Sequence, residues 1–188
     1  MIRHGCWFIF SVLLVGCTGS NLWTGANLIY DRHSVYKKLD DYQLILQLNT
    51  LLAQDGLFKR EKTGIDFAVF NGDVLIVGTV PNASLLQELT YRLKKFQGYR
   101  RLFNVVKVNN QASNSVYDSW ITAKIRSQIF ADASIDPHAF KILTAEGVVY
   151  LMGDVWPEQA KKVVTIAQHT AGVVHVVKIF KYLEYQKN

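Results

Sequence analysis

The sequence predicts an α/β (α+β) fold made of two tandem copies of one module. Each copy should run α-β-β-α-β, with a three-stranded sheet packed against two helices. Three observations lead there. A helical stripe of Leu44, Leu48 and Leu52 behind Asp41 recurs 77 residues later as Ile121, Ile125 and Ile129 behind Asp118. The segment Asn71-Gly72-Asp-Val-Leu-Ile-Val-Gly78 recurs 75 residues on as Glu146-Gly147-Val-Val-Tyr-Leu-Met-Gly153. Both read as a hairpin turn into a buried strand closed by glycine. The chain of 188 residues is also 49% hydrophobic and 12% aromatic, which supplies a core and excludes a disordered chain.

The N-terminus reads as an address. Arg3 and His4 precede an apolar run from Cys6 to Val15. Such a run makes roughly 15 Å of helix, too short for a hydrocarbon core of about 30 Å, and fits the apolar region of a signal peptide. Leu14-Val15-Gly16-Cys17 resembles a bacterial lipobox, in which cleavage before the cysteine leaves a thiol that takes a diacylglycerol. An ordinary signal peptide and a retained membrane segment are the alternatives. On the lipobox reading residues 1–16 are removed, Cys6 leaves with them, and Cys17 becomes a thioether to lipid. Acylation with palmitate-like chains would then exceed the threshold for stable anchoring, and no free thiol would remain for chemistry. Residue 18 is Thr rather than the Asp that marks inner-membrane retention in similar lipoproteins, so the expected location is the outer membrane, facing the periplasm. With Arg3 gone, 20 cations still face 15 acids, and the basic excess belongs to the mature chain.

Residues 18–36 show neither helical nor strand periodicity, and residues 17–36 are expected to be the lipidated N-terminus and a tether. As a coil the tether would span roughly 25 Å. Residues 37–110 form the first module and 116–188 the second, with the polar segment 109–115 between them. Within the modules, Ile65, Phe67 and Val69 alternate as a strand, as do Phe140 and Ile142. Asn82 suits the cap of a helix carrying Leu85, Leu86, Leu89, Leu93 and Phe96, and Pro157 suits the first turn of one carrying Ala160, Val163, Val164 and Ala167. Gly98 and Gly172 follow these helices. A last strand is expected at Asn104–Val108 and at His175–Ile179. Two units are a duplication, not a solenoid. Gly78 and Gly153 are expected to be packing positions where a side chain would press on a neighbouring helix.

These segments resemble the BON domain, a small α/β module of bacterial periplasmic proteins. The residues that carry the likeness are Asp31-Arg-His-Ser-Val35 with Asp40-Asp41, Val74-Leu-Ile-Val-Gly78 followed by Pro81-Asn82-Ala83, Trp120-Ile-Thr-Ala-Lys-Ile-Arg-Ser-Gln128 and Val149-Tyr-Leu-Met-Gly153. Behind a lipobox, two such modules resemble the dual-BON outer-membrane lipoproteins. The resemblance implies a non-enzymatic role in outer-membrane integrity. It also implies binding of anionic phospholipid through the first helix of the second module, enrichment at division sites, and an association with the β-barrel assembly machinery. Trp23 and Tyr30 depart from the small-residue stretch expected of the tether.

Each copy is a control for the other. With Ile121, Ile125 and Ile129 inward, Trp120 falls on the exposed face with Lys124 one turn along and Ser127 beyond. The first copy has Gln43, Gln47 and Asn49 where the second has Trp120, Lys124 and Arg126. An exposed indole suits a membrane interface, and each nearby cation adds about 1 kcal/mol against anionic lipid. Trp120, Lys124, Arg126 and Ser127 are therefore the candidate site for a phosphatidylglycerol-like lipid. The alternative is that Trp120 packs against the first module. The loop Ile135-Asp136-Pro137 is a weaker second contact. A possible secondary basic site is Arg92, Lys94, Lys95, Arg100 and Arg101, interleaved with aromatics, or else a solvated surface at a helix end.

Enzyme readings fail on inventory. His33, His138, His169 and His175 lack metal spacing, no nucleophile elbow is present, and the glycine turns lack the ending of a phosphate loop. No cofactor, metal or nucleic-acid partner is expected. Asp40-Asp41 fits a helix cap better than a Ca²⁺ ligand pair. The alternative function is an envelope-assembly adaptor or chaperone-like protein acting by protein–protein contact.

Overall fold

The computed structural model describes residues 24–59, 62–111 and 114–184, with side chains from Lys37 onward. The signal and lipobox, with Cys17, lie outside the described residues.

In the first unit α1 spans Thr24–Ala53 and ends where Asp55 and Gly56 take positive φ. A 3₁₀ turn over Gln54–Lys59 then buries Phe58. β1 (Gly64–Phe70) pairs antiparallel with β2 (Asp73–Val80). Asn71 and Gly72 join them at φ 48° and 80°, a pair of left-handed residues that matches the twist of the flanking strands. α2 (Ala83–Leu93) opens with the Asn82 carboxamide oxygen accepting from the Leu85 N–H at 2.9 Å. The chain returns as β3 (Arg101–Asn104) and β4 (Lys107–Val108), both parallel to β2. The second unit repeats this order: α3 (Ser115–Ala131), a 3₁₀ turn (Pro137–Ala139), β5 (Phe140–Ala145), β6 (Val148–Val155), α4 (Pro157–His169) and β7 (His175–Tyr182). The two units give the α+β architecture that the repeats predicted.

Strand alternation places the cores. Val74, Ile76 and Val80 point from β2 to α1 and α2, where they meet Leu44, Leu48, Leu89 and Leu93. Val149, Leu151 and Val155 point from β6 to α3 and α4, where they meet Ile121, Ile125, Ile129 and Val163. The opposite faces of the two sheets bury each other: Ala68, Leu75 and Val77 pack on Tyr150, Met152 and Ile179. The layers therefore run helices, sheet, sheet, helices. The helices of the two units lie on opposite outer sides.

Three expectations need correction. Residues 24–36, read as part of a coil tether, belong to α1. Periodicity could not show this, because extending a formed helix needs no apolar face, only hydrogen bonds added one residue at a time. The last strand of the first unit is broken at 105–106, where the Val106 N–H turns to the Asn104 side chain. Its register also differs from the expected match of Val-Val-Lys triplets. Leu75 pairs with Phe103 while its counterpart Tyr150 pairs with Val177, so Phe103 and Val177 are the equivalent positions. Finally, a side chain at Gly78 or Gly153 would not meet an α-helix. An added Cβ at Gly78 would sit 1.8 Å from the Gly64 carbonyl oxygen of the paired strand, and one at Gly153 would sit 2.5 Å from that of Ala139.

Candidate functional site

Each unit is clasped by an aspartate in its first helix. The Asp41 carboxylate accepts from the N–H groups of Asn71 and Gly72 at 2.8 and 2.7 Å. The Asp118 carboxylate accepts from Glu146 and Gly147 at 2.8 and 2.9 Å. Neither caps its own helix. Each satisfies two N–H donors of a hairpin turn that the ladder leaves unpaired, a charge-assisted pairing that fixes helix against sheet. The matched offset of the two aspartates was the available signal, but a contact about 30 residues away has no local signature.

With Asp118 fastened inward, the outer side of α3 is set. Trp120 is 46% exposed, and its ring stacks on Tyr117 of the same helix at 5.6 Å between centroids. The Lys124 ammonium lies 4.9 Å from the indole centroid, close enough for a cation–π attraction. Ser127 donates to the Lys124 carbonyl at 2.8 Å. Two residues that the sequence reading missed complete this side: Val116 at 81% exposure and Phe130 at 67%. At 100° per residue both fall far from the isoleucine stripe, and that was the signal available for them. α3 is thus apolar on two opposite sides, and the Trp120 ring is not sealed against the first unit.

Arg126 departs from this face. It lies roughly 120° around the helix from Trp120, and its guanidinium donates to the Ile142 carbonyl at 3.2 Å. There it lines a cleft of about 460 Å³ between the units, with Asp66 and Thr144. The Ile135-Asp136-Pro137 loop also turns away from a contact role. Ile135 is buried in the second core, and the Asp136 carboxylate accepts from the His138 N–H at 2.9 Å.

The five cations of the secondary basic site do not form one patch. Arg92 is held by Glu88 at 2.7 Å and Asp55 at 3.2 Å, and lies 5.3 Å from the Phe58 ring centroid. Arg100 and Arg101 both grip the buried Asp73, and Arg100 reaches across to Asp154 of the second unit at 3.3 Å. Burial by itself would raise the Asp73 carboxyl, but hydrogen bonds and charge from Arg100 and Arg101 overcome it and hold the group below the ordinary carboxylate range. The same carboxylate pushes both guanidinium groups up. What remains outward is Lys94 and Lys95, the latter 4.3 Å from the Tyr91 ring centroid. Local charge counting missed this because Asp55, Asp73 and Asp154 come from distant segments, and only Glu88 lies on the same helix as the arginine it holds.

Among the described residues no group of three or more His, Cys, Asp or Glu could hold a metal ion, and no helix is long and apolar enough to cross a membrane. The chain is 28% identical over 179 residues to the outer membrane lipoprotein DolP of Haemophilus influenzae, covering 93% of this chain and 92% of that one. It is 27% identical over 156 residues to a 21 kDa hemolysin of Actinobacillus pleuropneumoniae, covering 82% and 80%. A solved structure of CdsD, a structural protein of the type III secretion system of Chlamydia trachomatis, aligns with 77% of this chain and 94% of its own at TM-score 0.33 and 12% identity. Residues 117–184, which run from the first turn of α3 to just past the end of β7, match the model of the BON domain family.

Proposed function

We propose that this protein is an outer-membrane lipoprotein, anchored through Cys17 and facing the periplasm, that binds anionic phospholipid through the outer side of α3 and supports envelope integrity. It works by binding, without turnover. One observation carries the reading: Val116, Trp120 and Phe130 form an exposed apolar row along α3 with Lys124 at its flank. Such a row is costly in water and suits the boundary between headgroups and acyl chains, where an indole has one wet and one dry side. The similarity to DolP supports the location. Enrichment at division sites would follow if those sites are rich in anionic lipid, because anchor and α3 then act as linked contacts.

The test uses the chain from residue 17, exported behind a signal that is cleaved without lipidation and carrying Cys17→Ser. It should bind phosphatidylglycerol vesicles and ignore phosphatidylcholine ones, with affinity falling as salt rises. Trp120→Ala should weaken binding about 10–150-fold, from roughly 1.5–3 kcal/mol of lost apolar burial, with the thermal midpoint unchanged. No binding by the parent chain would sink the proposal.

A second reading, docking to an envelope-assembly protein such as the β-barrel assembly machinery, is favoured by a different feature. Leu39, Tyr42 and Leu46 form an exposed stripe on α1. That stripe lies on the opposite outer side of the molecule from α3, so one flat bilayer cannot cover both.

A further inference from the structure

α1 buries one side and leaves an apolar seam on the other. Leu44 and Leu48 point into the core of the first unit. Leu39, Tyr42 and Leu46 lie roughly opposite them around the helix, and each is about half exposed. Their spacing is that of a heptad, with Leu39 and Leu46 at a and Tyr42 at d. In sequence the d series continues back through Val35 to Leu28, and the a position between them is Arg32. A single polar a residue fixes the register of such a seam. The flanking positions carry no like-charge clash near the unit: in a parallel, in-register pair Lys38 at g meets Gln43 at e of the other helix. Tyr91 of α2, exposed beside Leu46, widens the seam at its inner end.

The second unit supplies a contrast. Ser115, where α3 starts, corresponds at the 77-residue offset to Lys38. α1 starts at Thr24, so residues 24–37 form a helical arm with no counterpart in the second unit. The arm is roughly 20 Å long, and hydrogen bonding alone extends a helix that far only marginally in water. A second helix laid along the a and d positions supplies the apolar burial that would hold it.

We propose that α1 pairs with α1 of a second copy of this chain, parallel and in register, as a two-stranded coiled coil over residues 28–46. The direction rests on the anchor reading above: residues 18–23 are all that separate Cys17 from α1, so two chains in one membrane send their helices out from the same side. The pairing itself does not rest on it. The α3 row lies on the opposite outer side of the molecule and stays uncovered. The α1 seam is then taken by a second copy rather than by an envelope-assembly protein. A seam this short predicts a reversible pair in solution, favoured when anchoring raises the effective concentration.

The experiment uses the same unlipidated chain, which with Cys17→Ser holds no cysteine. Its mass by sedimentation equilibrium should climb from one chain toward two as concentration rises from about 10 μM to about 1 mM. Leu39→Glu with Leu46→Glu should weaken the dimer more than about 100-fold, from two leucines lost per chain, while Trp120→Ala leaves it intact. Leu39→Cys and Leu46→Cys, made separately, should each form disulfide dimers under mild oxidation, and Gln47→Cys at a b position should not. Parallel pairing brings both seam positions to their own copies, whereas antiparallel pairing can bring only one. A parent that stays a single chain overturns the proposal, as does a dimer that survives the double substitution but is lost in Trp120→Ala. Disulfides at only one seam position, or equally at Gln47→Cys, overturn the parallel pair. The thermal midpoint of the double variant should match that of the dilute parent, and if it falls the cysteine variants alone decide. Vesicle binding is a separate readout that reports the lipid reading alone, so either can fail while the other stands.

Discussion

Gly78→Ala is expected to prevent the first unit from folding. Gly78 sits at φ +114°, and a methyl there would approach the Gly64 carbonyl oxygen to 1.8 Å and the Ile65 Cα to 3.2 Å. Both obstacles are backbone of the paired strand, so relief requires opening the β1–β2 ladder rather than turning a side chain. The backbone region adds roughly 1–2 kcal/mol of its own for an L-residue, and the total should exceed about 4 kcal/mol, at the extreme of single-site effects. Because β1 and β2 also supply half of the contact between the sheets, the second unit should lose stability with the first. Amide exchange resolved by residue would show protection lost across β1–β4 and lowered across β5–β7. Gly153→Ala should cost less: the Cβ would meet the Ala139 carbonyl oxygen at 2.5 Å, but no positive φ is involved. Gly56→Ala, with nothing within 4 Å of the new atom, should cost about 1 kcal/mol from its φ alone. A Gly78→Ala chain as stable as the parent would mean that the hairpin register is wrong.

The sequence announced the repeated architecture because its signals are local. A stripe at i, i+4, i+8 and a glycine turn ahead of an apolar run each declare an element within ten residues. The features that assemble those elements were hidden because they join distant segments. Asp41 reads as an ordinary helix-end acid until the hairpin donors at 71 and 72 are brought to it. Arg100 and Arg101 read as free positive charge until Asp73 is placed under them. The α3 site was half legible. Comparing the two copies picked out Trp120 and Lys124, whose counterparts are polar. It passed over Val116 because its counterpart Leu39 is apolar as well, although both are exposed. Arg126 differed between the copies for another reason: it serves the cleft between the units rather than the outer face.

The cluster that ties the units together should dominate the response to acid. Asp73 is almost wholly buried and carries both guanidinium groups, with the Arg100 Nε at 2.8 Å and the Arg101 Nε at 3.0 Å. Asp154 of the second unit receives the Asn71 carboxamide at 3.2 Å and Arg100 at 3.3 Å. Asp73→Ala leaves two cations side by side over an emptied buried position, but both guanidinium groups are partly exposed and can turn to water, so the cost should be about 2–3 kcal/mol, from the lost charge-assisted hydrogen bonds. Asp154→Ala removes a longer contact to a guanidinium that keeps Asp73, and should cost no more than about 1 kcal/mol. The folded Asp73 carboxyl is held below its unfolded value, so the unfolded chain binds the extra proton first. Its stabilising contribution is complete above about pH 4 and drains away as pH falls through the folded value. Urea unfolding at pH 7 and at pH 3 should show the parent losing more stability than Asp73→Asn, with slopes differing by up to about 1.4 kcal/mol per pH unit for the one proton. Parallel slopes would place the acid sensitivity elsewhere and leave Asp73 with a packing role alone. A steeper parent slope would make this cluster the acid-sensitive joint between the two units.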